Sequence, residues 1–143
     1  VLYFATHGIA SEEDPMKKSF LVLSGADPFL TAKDIMDSRK RYKKFPEMVI
    51  LSACQTGLGK STEAGVAGLA RSFMLAGSNH VIMSLWNVDD EATAFLMNRF
   101  LFHLRKRSRF MPAEPLRQAA LDTRKKFPGP SQWASFSLFG IDY

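Results

Sequence analysis

Residues 48 to 62 read M-V-I-L-S-A-C-Q-T-G-L-G-K-S-T. The first part, Met48 to Ser52, is an apolar run without polar alternation, as in a strand buried on both faces. Gly57 and Gly59 follow as a turn, and a helical pattern follows them. Strand, glycine-bearing loop and helix form the unit from which parallel α/β sheets are built. The loop admits two chemistries. From Cys54 to Ser61 it matches the phosphate-cradling pattern G-x-x-x-x-G-K-[ST] except at its first position, where Cys54 stands for glycine. A residue with a Cβ is costly where that loop turns its amides on an anion, and this counts against nucleotide binding. The other reading takes Cys54 itself as the reactive group, a thiol at the carboxyl end of a strand, where open α/β sheets gather their chemistry.

Three further apolar runs read as strands: Val1 to Thr6, Phe20 to Leu23, and Val81 to Leu85. Val66, Leu69, Ala70 and Phe73 fall at helical spacing, with Gly77 as the stop. Met97, Phe100, Leu101 and Leu104 predict a longer helix capped by Asp89 or Asp90. A third helix is expected from about Pro112 to Phe127, where Pro128-Gly129-Pro130 ends it. Trp133 to Gly140 returns as an apolar tail, and Gly8 to Lys18 reads as a surface loop. The expectation is one α/β domain with a mostly parallel sheet covered on both faces.

The 143 residues carry 46% apolar and 23% charged side chains, an ordinary globular composition. A strand-like start at Val1 leads to the expectation that the chain is a fragment whose N-terminal strands are missing. One cysteine makes no internal disulfide, and with three histidines it argues against a structural zinc site. A reducing, cytoplasmic setting fits, with no membrane span. The net charge of +5 gathers in Arg39 to Lys44 and Arg105 to Arg109. Neither run forms a recognisable binding motif, so no nucleic-acid binding is expected.

His7 follows the first strand as Cys54 follows the third, so both would open on one edge of the sheet. An imidazole near a thiol assists thiolate formation and protonates a leaving group, the minimum for nucleophilic acyl transfer. The amides of Gly8 and Cys54 would form the oxyanion hole. His80 and His103 lack this context and read as structural or surface residues.

These residues carry a resemblance. Phe-Ala-Thr-His-Gly at 4 to 8, with Cys54 in Leu-Ser-Ala-Cys-Gln-Thr-Gly-Leu-Gly 47 positions after the histidine, resembles the CHAT family of caspase-like peptidases. The likeness continues through Gly65 to Phe73, Leu75 to Gly77, Ser84 to Thr93, Pro112 to Arg117 and the Trp133 to Gly140 tail. It implies that residues 1 to 143 are the C-terminal, catalytic portion of one such domain, a caspase-like three-layer sandwich. It implies a cysteine endopeptidase with a His7 and Cys54 dyad, acting on a protein substrate without metal or cofactor. Ser52 and the Trp86 to Asp90 segment would build the substrate pocket, with Asp89 or Asp90 able to meet a basic side chain. Gln55 departs from the glutamate usual after the cysteine and leaves substrate preference open. Members often carry tetratricopeptide repeats upstream, implying a regulatory region as partner. The alternatives are a catalytically silent module with the same fold, and the degenerate phosphate loop with Lys60 and Ser61.

Overall fold

The computed structural model describes residues 1–9, 11, 13–55, 63–106 and 110–140, with side chains for all but 53–55 and 63–67. Twelve elements are assigned among them: β1 (Leu2–Ile9), α1 (Pro15–Lys18), β2 (Phe20–Val22), β3 (Phe29–Thr31), α2 (Ala32–Ser38), β4 (Met48–Gln55), α3 (Glu63–Ala76), β5 (His80–Ser84), α4 (Asp90–Arg105), α5 (Ala113–Lys126), α6 (Pro130–Trp133) and β6 (Phe136–Gly140). The six strands form one open sheet in the order β3-β2-β1-β4-β5-β6. The centre, β1-β4-β5, is parallel, while β2, β3 and β6 join antiparallel at the flanks.

Strand alternation sorts the sheet into two faces. Val49, Leu51, Val81 and Met83 pack with Ile35 of α2 and Leu69, Ala70 and Phe73 of α3. Met48, Ile50 and Ile82 pack on the other side with Leu96, Met97 and Phe100 of α4 and Leu116 and Ala119 of α5. Helices on both faces give the three-layer α/β architecture, and they explain why β4 and β5 read as unbroken apolar runs.

The helix ends follow local chemistry. Asp89 caps α4 by accepting the Ala92 N–H at 2.9 Å. Gly77 ends α3 at φ 120°. Beyond it the Ser78 N–H reaches the Phe73 carbonyl at 3.0 Å, the closing bond of a Schellman turn. Gly140 is required at the edge of β6, where an added Cβ would lie 2.3 Å from the Asn79 carbonyl.

Several expectations change. β1 and β4 run past their predicted ends, to Ile9 and Gln55. β2 extends β1 by pairing Gly8 with Leu21 and Ile9 with Phe20, a contact between segments that apolar periodicity does not report. The segment read as a surface loop therefore begins as strand and holds α1. Leu101 was expected in the core stripe of α4 but is 41% exposed, because the buried stripe runs through Ala92, Leu96, Met97 and Phe100. α2 and β3 were not expected, and the apolar tail resolves into α6 and β6.

Candidate active site

In the parallel β1–β4 ladder the Cα of His7 pairs with that of Cys54, and Gly8 pairs with Gln55. Neighbouring strands lie about 4.8 Å apart, so the two positions are immediate neighbours. Both sit near the carboxyl ends of their strands. They lie inside the strands, where the sequence had placed them just beyond, and they share one edge, as expected. Ser52 pairs with Ala5, one alternation step further from that edge.

The row to which His7 belongs changes its environment between two strands. On β4, Ile50 is 1% exposed beneath the helical layer, whereas its register partner on β1, Tyr3, is 45% exposed. Ala5 and His7 continue that exposed row. The α4–α5 layer thus stops between β4 and β1, leaving β1 as an open shelf with His7 at its end. By the two-residue alternation, position 54 belongs to the row of Ile50 and Ser52, at the boundary of the covered and open regions. On the other face of β1, the Thr6 hydroxyl donates to the Val22 carbonyl and ties the β2 hairpin down one residue before His7.

The segment after β5 reaches the same edge. Leu85 donates its N–H to the Ser135 carbonyl at 2.8 Å, and buried Val88 anchors the segment from below. Trp86 is 39% exposed, and its indole N–H donates to the Ser131 carbonyl at 2.9 Å. Asp89 is engaged as the cap of α4, while Asp90 opens that helix with an exposed side chain. The structure thus brings His7, Gly8, Cys54, Trp86, Asp89 and Asp90 to one edge, with Ser52 below it. Lys60 and Ser61 lie outside the described residues, as do Gly57 and Gly59. Sequence reasoning missed Ser131 and Thr6 as positioning residues; Ser131 is 45 residues from Trp86, and no local pattern links them.

The other histidines lie elsewhere. His80 is buried at the start of β5, its ring 5.9 Å from that of Phe110. His103 lies 2.9 Å from the Asp122 carboxylate, which Arg99 also meets at 2.7 Å. His103, Arg99 and Lys125 together hold the Asp122 carboxyl well below the usual carboxylate range, against the opposing effect of burial. This cluster joins α4 to α5 and does not belong to the edge with His7. Among the described residues no three His, Cys, Asp or Glu side chains are placed to hold a metal ion, and no helix is long and apolar enough to cross a membrane.

The three-layer α/β domain sets positions 7 and 54, a histidine and a cysteine, side by side near the carboxyl ends of adjacent parallel strands. The chain belongs to the CHAT domain family, whose model matches residues 1–141. It is 32% identical over 113 residues to tetratricopeptide repeat protein 28 of Mus musculus, and 33% identical over 113 residues to the protein of that name from Homo sapiens. Each match covers 79% of this chain but 4% of the relative, so the chain spans a small part of the length of these relatives.

Proposed function

We propose that this chain carries the catalytic portion of a caspase-like cysteine endopeptidase acting on a protein substrate. The observation that carries the reading is the register of His7 with Cys54 at the open end of the sheet. The Cys54 thiolate attacks the scissile carbonyl, and the amides of Gly8 and Cys54 hold the resulting oxyanion. His7 gives its proton to the departing amine, the C–N bond breaks, and an acyl-enzyme forms. Water then attacks the thioester, losing its proton to His7, and the C–S bond breaks to release the acid and restore the Cys54 thiolate beside protonated His7. The exposure of His7 suits this role, because the leaving group is reached from the open shelf rather than through the core.

Ser52, Trp86, Asp89 and Asp90 are the substrate-contacting candidates. Asp89 spends one carboxylate oxygen on the helix cap, so the exposed Asp90 is the freer of the two to meet a basic side chain. The names of the relatives support a second component of the proposal, that the domain works beside tetratricopeptide repeats which present or restrain it. A reducing compartment such as the cytoplasm suits a reactive thiol.

Peptide-library turnover by the full-length protein, read by mass spectrometry, tests the proposal. Cleavage should vanish in Cys54→Ala and fall at least about a hundredfold in His7→Ala, the scale of lost acid–base assistance. Lys60→Ala should cleave normally. A folded wild-type protein with no turnover on any peptide would favour a silent module. Magnesium-dependent ATP binding lost in Lys60→Ala would favour the phosphate loop.

A further inference from the structure

The α4–α5 hairpin carries a second feature that the peptidase reading does not use. Between residues 90 and 126 there are nine basic and four acidic side chains, an excess that equals the whole +5 of the chain. Of the four acids, Glu91 pairs with Lys126, Glu114 with Arg117, and Asp122 with Arg99. Asp90 stands at the opposite end of α4. Among the described residues, neither Arg105 nor Lys106 has a carboxylate within ion-pair distance, and both close the last stretch of α4.

Beside these cations the helix exposes Leu101 and Phe102, at 41% and 43%. Leu101 with Arg105, and Phe102 with Lys106, are spaced i to i+4, so the four share one outward stripe. Arg99 lies 4.5 Å and Lys106 4.0 Å from the centre of the Phe102 ring. The helix dipole accounts for cations in a last turn. It does not account for two large apolar side chains left in solvent beside them. The contact of Phe110 with His80 at the start of β5 fixes this end of the α4–α5 hairpin at the amino edge.

We infer that the outer face of the C-terminal half of α4 is a docking surface for an acidic protein segment bearing aliphatic or aromatic side chains. Arg105 and Lys106 meet its carboxylates, and Leu101 and Phe102 receive its apolar groups; the uncompensated positive charge selects the sign of the partner. The site lies away from Cys54, so it recruits or regulates without entering the chemistry.

Fluorescence anisotropy with a labelled peptide of alternating Glu and Leu tests the inference on the full protein. Phe102→Ala and the double variant Arg105→Glu/Lys106→Glu should each weaken binding about tenfold or more, and so should replacing Glu by Gln in the peptide. Arg124→Glu/Lys125→Glu, at the other end of the hairpin, should bind as wild type does. Circular dichroism establishes that the variants fold. The inference fails if a single-stranded oligonucleotide binds as tightly as the peptide, if Phe102→Ala leaves affinity unchanged, or if the peptide does not bind.

Discussion

β4 and β1 are neighbours in register, yet the same row of the sheet is sealed on one and open on the other. Ile50 lies at 1% exposure under α4 and α5, while Tyr3 beside it is 45% exposed. On β4 the burial supplies rigidity; on β1 the missing cover supplies access. Under the proposed function, a nucleophile at position 54 would stand at the boundary of the two regions, between a packed strand and a reachable partner, the combination that covalent catalysis needs.

The largest effect expected from this contrast is on activity. Turnover should disappear with Cys54→Ala, whereas a His7 substitution on the open shelf should leave the melting temperature near the wild-type value while removing most of the rate. If His7→Ala unfolds the chain, the shelf is a structural element and the contrast is broken.

Stability should show the reverse asymmetry. Phe100, fully buried beneath the sheet, should cost about 3–5 kcal/mol when replaced by Ala, as expected for a large core deletion. Tyr3→Ala should cost roughly 1 kcal/mol or less, within the range of surface substitutions. Denaturant midpoints of the two variants decide this directly. Equal losses would mean that the β1 row is covered in solution.

The hairpin that covers β4 is held in part by Asp122, whose Asn variant should cost about 2 kcal/mol at neutral pH, the scale of hydrogen bonds to a charged group. Its carboxyl is depressed in the folded state, so as the pH falls the unfolded chain takes the proton first. The stabilisation is complete above the ordinary Asp range near pH 4 and is lost progressively below it. The difference between wild type and Asp122→Asn should therefore narrow as the pH drops below about 4. A gap that stays constant with pH would show that the carboxylate charge does not contribute.

The covered half was the more legible in the sequence. Met97 and Phe100 in the core of α4, an aspartate cap at one of the two positions offered, Gly77 after α3 and the proline stop after α5 are local signals, and each falls where the pattern put it. Leu101 misled because one apolar residue adjoining a stripe has the same composition as one within it. The extension of β1 depends on pairing with β2, a contact over sequence distance that no window reports. α2 carried a signal that was passed over: Thr31-Ala-Lys-Asp34 is a capping box, and its reciprocal bonds are formed. For the candidate site, the common edge of His7 and Cys54 was readable from two strand ends. Their shared register was not, since a slip of one residue would place them on opposite faces.

Register can be tested before chemistry. Neighbouring parallel strands bring Cα atoms within the range a disulfide spans, so His7→Cys should crosslink to Cys54 on mild oxidation, with both thiols lost to alkylation. Two thiols that remain free under oxidation would contradict the pairing.

The most direct measurement is covalent labelling of the full-length protein by a peptidyl electrophile, read by intact mass and peptide mapping. A single adduct on Cys54, absent in Cys54→Ala and formed much more slowly in His7→Ala, is the predicted result. Equal labelling with and without Cys54, or labelling of Cys54 at an unchanged rate when His7 is removed, would contradict the dyad.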